Sequence, residues 1–215
     1  MIERDYIMRM IQMLAQALVR ILFLKSQKDF PEAIAEIQRA SKRILGIEVD
    51  VLRRLTDVQM IDLLSLDAGM GIPKCYAAGM LLKEEADVVT SMQKAGDGHE
   101  LYCKALSLLT ESGIRNKGPF DPAHGKAISA IAEKLQDAPV PVHTLKKLFC
   151  YHDLTRDYGR AAVVLLKVVA KEPSFAKEAD RFYQRLAALS DAELNEGQFT
   201  REEVAAGLKN LGARA

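Results

Sequence analysis

The stretch VHTLKKLFCYHDLTRDYGRAAVVLLKVVAKEP, residues 142–173, decides the reading of the fold. It holds two helical patterns, 142–155 and 158–171, joined by a turn too short to do anything but reverse the chain. Leu145 and Leu148 lie on the first helix and Tyr158 at the turn, with Ala161, Leu165 and Val168 on the second before a closing Pro173. A small side chain where two antiparallel helices cross lets their backbones approach, and the larger ones fill the groove toward the next hairpin. Proline then ends the second helix because it has no amide hydrogen to donate.

Two further windows carry the same pattern. One has Phe30, Ala33, Ile37 and Ala40; the other has Leu82, Ala86, Val89, Gly98, Tyr102 and Ala105. Ala33 and Gly98 are 65 residues apart and Gly98 and Ala161 are 63 apart, each close to twice the ~34-residue period of a helix–turn–helix repeat. On these residues the chain resembles the tetratricopeptide superfamily over about half its length. Phe149 and His152 depart from its pattern. The opening segments MIERDYIMRMIQMLAQAL and DFPEAIAEIQRASKRILG also look like an uncharacterised bacterial family of helical-repeat proteins, a likeness that implies a fold and no chemistry. The expected fold is all-α: tetratricopeptide-like antiparallel hairpins stacked as a short right-handed solenoid of nine to eleven helices.

Composition agrees with that expectation. Of 215 residues 49% are hydrophobic, yet only 6% are aromatic and tryptophan is absent. Such a core is built from Leu, Ile, Val, Met and Ala, a palette dominated by good helix formers. No period-two run of β-branched residues marks a strand. Thirty basic against twenty-nine acidic residues leave a formal charge of +1, which does not suit phosphate-backbone binding, so no nucleic-acid partner is expected. Three widely spaced cysteines, Cys75, Cys103 and Cys150, read as reduced thiols in a cytoplasmic protein, each a small core hydrophobe.

The segmentation gives one helical-repeat domain, 1–215, with chain breaks near 67–73 and 112–122. Pro31 opens and Gly46 closes the second helix. Thr56 with Gln59, and Thr200 with Glu203, form capping boxes. The first helix, about Arg4 to Lys25, is unusual. Asp5, Arg9, Gln12, Gln16 and Arg20 make one narrow polar stripe, leaving an apolar arc of roughly 240° where a surface helix needs little more than ~100°. One neighbouring helix cannot cover such an arc, so Met8, Val19 and Phe23 on its flank are candidates for a self-association face. Glu3, Asp5 and Arg20 argue against an export signal, and the uncharged run Met10–Val19 is about half of the ~20 residues that a membrane span requires.

Motifs for chemistry fail on context. Gly118 and Gly125-Lys126 have the wrong spacer for a phosphate-binding loop, with Ala127 in place of Ser or Thr. His143 and Cys150 share a helix face, but His152 lies about 200° away, so no metal site is expected. By analogy with the concave groove of tetratricopeptide proteins, His143, Lys146, Cys150 and Asp153 are the candidate partner-binding residues. Lys146 matches the family's carboxylate clamp and Cys150 does not.

The functional expectation is a non-enzymatic interaction or scaffold module that binds a protein or peptide partner and self-associates, with homodimerisation through the first helix and no cofactor. An enzyme or small-ligand binder with an inter-helical pocket is the alternative. A peripheral membrane-surface protein ranks below both, because interfacial helices normally carry a basic polar face.

Overall fold

The computed structural model describes residues 2–66, 69–92 and 95–212, with side chains described for 5–66, 69–92 and 98–210. Every regular element among them is helical: α1 (Ile2–Ser26), α2 (Phe30–Leu45), α3 (Val49–Arg54), α4 (Asp57–Leu64), α5 (Gly71–Ser91), α6 (Ala95–Arg115), α7 (Pro122–Lys134), α8 (Val142–Leu154), α9 (Tyr158–Lys171), α10 (Ala176–Ala187), α11 (Asp191–Glu196) and α12 (Arg201–Gly212), with a 3-10 turn at Pro173–Phe175. Among the described residues there are twelve α-helices where nine to eleven were expected; α3 and α11, each of six residues, are too short for a 3.6-residue period to declare itself. A cap announces α11 nonetheless, since Ser190 and Glu193 form a reciprocal capping box.

The chain divides into two compact units, Met1–Pro139 and Val140–Ala215. The boundary falls within Pro139-Val140-Pro141, where two prolines prevent one helix from continuing into the next. Both expected chain breaks lie inside the first unit, and Asp67 and Ala68 of the first break are outside the described residues. That break is shorter than expected, because Gly71 already opens α5 and Pro73 sits in its first turn.

In the first unit α5 and α6 form the central antiparallel pair, flanked by α2, α1, α4 and α7. Small residues set how closely the pair packs. A Cβ at Gly79 would lie 2.7 Å from Leu109 Cγ and 3.3 Å from the Ala105 carbonyl, and one at Gly98 would collide with Thr90 Oγ1. Ala86 and Ala105, on the same pair, are fully buried, as is Ala33 on α2. Thus Gly98 and Ala105 mark the contact within one hairpin. The α2 helix ends as its sequence dictates, at Gly46 with φ 72°, a left-handed conformation that side chains resist.

The second unit pairs α8 with α9, where Ala161 is fully buried and Tyr158 packs at the turn. After the 3-10 turn, α10 packs on α12. Phe182 of α10 meets Phe149 edge-on at 5.3 Å between ring centroids, and Phe149 is itself edge-on to Phe175 at 6.1 Å. Phe149, a departure from the repeat pattern, is therefore the aromatic that joins α8 to α10. Thr200 and Glu203 cap α12 reciprocally, as the sequence predicts.

Candidate functional site

The α1 helix is held to its unit by one stripe, Met10, Leu14, Ala17 and Ile21, all buried, at the spacing that places residues on one face. Packing against α2 and α5 consumes that stripe. The opposite face is left to solvent, where apolar residues share it with the polar stripe: Met8 is 53% exposed, Val19 69% and Phe23 62%, with Leu22 half exposed beside them and Tyr6, also half exposed, across the stripe. Large apolar side chains at that exposure, contiguous on one helix, are the kind of surface that monomeric soluble proteins keep small. Asp5–Ser26 also has the length and apolar content of a membrane-crossing helix, a test that core helices pass as well.

Charge concentrates elsewhere, on α5. The run Lys83-Glu84-Glu85-Ala86-Asp87 puts three acidic residues on a helix that is otherwise buried almost throughout. Glu84 and Asp87 draw in cations from two other helices. Lys25 of α1 donates to Glu84 Oε2 at 2.5 Å and to Asp87 Oδ2 at 2.8 Å, and Lys134 of α7 stands 3.3 Å from Asp87 Oδ1. Lys83 bonds both acids and the Tyr102 hydroxyl donates to Asp87 at 2.6 Å. Burial opposes ionisation of Asp87, but hydrogen bonds from Lys25 and Tyr102, with the charges of Lys25 and Lys83, outweigh it and hold the carboxyl well below the usual carboxylate range. Glu85 is fully buried and pairs with Arg53, while its Oε2 has no hydrogen-bond partner among the described residues. This cluster latches α1, α3 and α7 onto α5.

Beside it lies a cleft of about 480 Å³ lined by Pro31, Ile34, Val89, Met92 and Leu101 with Arg53, Glu100 and Lys104. Its cations are already engaged. Arg53 also binds Asp50 at 2.8 Å, and Lys104 pairs with Glu100 at 2.7 Å and donates to the Arg53 carbonyl. Neither the acidic run nor this cleft was picked out by motif, although KEEAD inside an apolar helix was a usable signal.

A third polar centre is structural. His124 is fully buried, its Nδ1 accepting from the Phe120 amide at 3.1 Å while Nε2 lies 2.9 Å from the Leu109 carbonyl. That pattern assigns the proton to Nε2 of a neutral ring. Burial pushes its pKa down, against the opposing pull of the Leu109 carbonyl and the Asp121 charge. Tyr76 stacks on Phe120 at 4.9 Å and donates to Asp121 at 2.8 Å.

On α8 the predicted quartet does share one face. His143 and Cys150 are exposed, and Lys146 and Asp153 are partly so. Its charges are spoken for: Lys146 donates to Glu172 at 2.8 Å and lies over the Phe175 ring, and Arg185 holds Asp153 at 2.5 Å. The exposure of Cys150 corrects the expectation that all three cysteines are core; Cys75 and Cys103 are buried, and burial pushes the Cys103 thiol up to about 11, with the Glu100 charge adding to it. His152 is buried away from that face, with Nδ1 3.5 Å from Asp157. Gly125 and Lys126 lie inside α7.

No curated protein and no solved structure matches the chain. A family model does, over residues 1–215, and the chain belongs to that family of unknown function, DUF6483.

Proposed function

We propose that the protein is a non-enzymatic interaction module that docks a protein partner through the outer face of α1. The observation that carries this reading is the unpartnered apolar face bearing Met8, Val19, Leu22 and Phe23, on a helix whose other face is firmly in the core. The ionic latch of Lys25 to Glu84 and Asp87 fixes the C-terminal end of α1 on its scaffold, so the face is presented on a rigid element. In this reading the hairpins are tetratricopeptide-like, supported by the small crossing residue Ala161 and by α10 following Pro173 as the next first helix. The α8 quartet is a weaker groove, since Lys146 and Asp153 already have partners. Cys75, Cys103 and Cys150, none of them in a disulfide, fit a cytoplasmic setting.

Affinity purification from cells that make the protein, wild type beside Val19→Asp, tests the reading when paired with circular dichroism. The docking face predicts loss of the stoichiometric partner with helicity unchanged. Unfolding of Val19→Asp, or undiminished recovery of the partner, overturns it.

A second reading, a small-ligand binder, rests on the Arg53–Lys104 cleft, whose volume falls within the range of ligand pockets. Native mass spectrometry showing a bound metabolite that Leu101→Trp displaces would favour it.

A further inference from the structure

We propose that the occupant of the α1 face is the α1 face of a second copy, in an antiparallel two-fold pair; this rests on the docking reading above and names its partner. The polar stripe of α1 is complementary in charge to its own reverse. Asp5, Arg9, Gln12, Gln16 and Arg20 run along one edge of the exposed face, and all five are exposed. In an antiparallel pair related by a two-fold axis, like edges of the two helices lie on the same side, so this stripe meets its own copy in reverse order.

With the axis between Gln12 and Met13, Asp5 of each chain meets Arg20 of the other, and Arg9 meets Gln16. Both ends of the contact gain an opposite-charge pair. In a parallel two-fold pair like edges lie on opposite sides of the contact, so the two stripes would not meet and neither end would gain such a pair. On the apolar side the same register seats Met8 of one copy between Ala15 and Val19 of the other. Ala15, exposed and small, leaves room for that approach. Arg20 remains available, since its side chain is 62% exposed while it stands 3.4 Å from Glu36. Glu36 keeps Arg39 at 2.8 Å, so a change at Arg20 does not strip its last partner.

Sedimentation equilibrium of the full chain at micromolar concentration tests this with Asp5→Arg, Arg20→Asp and the double variant. The wild type is expected to dimerise. Each single reversal opposes like charges at both ends and raises the dissociation constant by about tenfold or more. The double variant restores the homodimer. An equimolar mixture of the two single variants restores a heterodimer, because at each end of the contact a basic side chain of one variant then faces an acidic side chain of the other. A monomeric wild type, a dimer indifferent to single reversals, or a mixture that stays dissociated overturns the proposal. Should Arg20→Asp lose helicity by circular dichroism, Asp5→Arg alone decides, and an unchanged dimer mass overturns the register. A wild-type monomer that binds anilinonaphthalene sulfonate in a Val19-dependent way would refute the second copy yet keep the docking face. A monomer that binds none refutes both.

Discussion

Glu85 is the residue on which the charged centre of the first unit depends, because it is fully buried and Arg53 is its counter-charge. Arg53→Ala leaves that carboxylate uncompensated and should cost about 3 kcal/mol, the lower end for broken buried pairs, since Arg53 is itself partly open to water. Adding Glu85→Leu should recover most of the loss, as urea midpoints of the single and double variants would show; no recovery would mean that Arg53 acts through packing. His124 makes a separate prediction. Its pKa is lowered in the folded state, so below about pH 6.5 the unfolded chain takes up a proton that the folded chain refuses. Its stabilising contribution is therefore complete above that pH and is lost as the pH falls. Urea midpoints at about pH 7.5 and 5.5 should differ less for His124→Gln than for the wild type. The KEEAD run marks Glu85 as an acid within an apolar helix but does not name its counter-charge, and nothing in the sequence marks His124, because the partners of buried polar groups come from other helices.

At the scale of elements, the long helices were legible and the short ones were not. Periodicity over ten or more residues, with Pro31 and Gly46 bounding α2 and the capping boxes at Thr56 and Thr200 opening α4 and α12, marks these helices in the sequence. Helices α3 and α11 hold too few residues for a period, yet the Ser190–Glu193 box was there to be read. Close packing of α5 on α6 makes Gly79 irreplaceable by anything larger. Gly79→Ala gains helix propensity but must push Leu109 aside, and a net loss of about 1 kcal/mol in thermal or urea unfolding is expected. The two faces of α1 should respond oppositely to one charge. Leu14→Asp buries an unpaired carboxylate and should prevent folding, whereas Val19→Asp should leave the melting temperature within a few degrees of the wild type. Equal damage from both would place Val19 in a core. Here the sequence was informative, since an apolar arc wider than one neighbour can cover is visible on a helical wheel. Which part of the arc stays open required the packed structure.

For the whole molecule, an all-helical chain stands on two compact units whose charges are largely consumed in holding helices together. Lys25, Lys83 and Lys134 serve Asp87, Arg53 serves Glu85, and Lys146 and Asp153 are taken by Glu172 and Arg185. Of the large apolar side chains left exposed among the described residues, Tyr6, Met8, Val19, Leu22 and Phe23 lie on α1, more than on any other helix. The proposed role is therefore interaction through α1, with a second copy of the chain as the partner. The mass of the intact chain in solution tests it most directly, measured by sedimentation equilibrium across a range of concentrations for the wild type and Val19→Asp. The wild-type mass is expected to rise from 23.8 kDa toward twice that value with concentration, while Val19→Asp stays at 23.8 kDa with an unchanged helical spectrum. A wild type that remains at 23.8 kDa at every concentration contradicts the pairing of two copies.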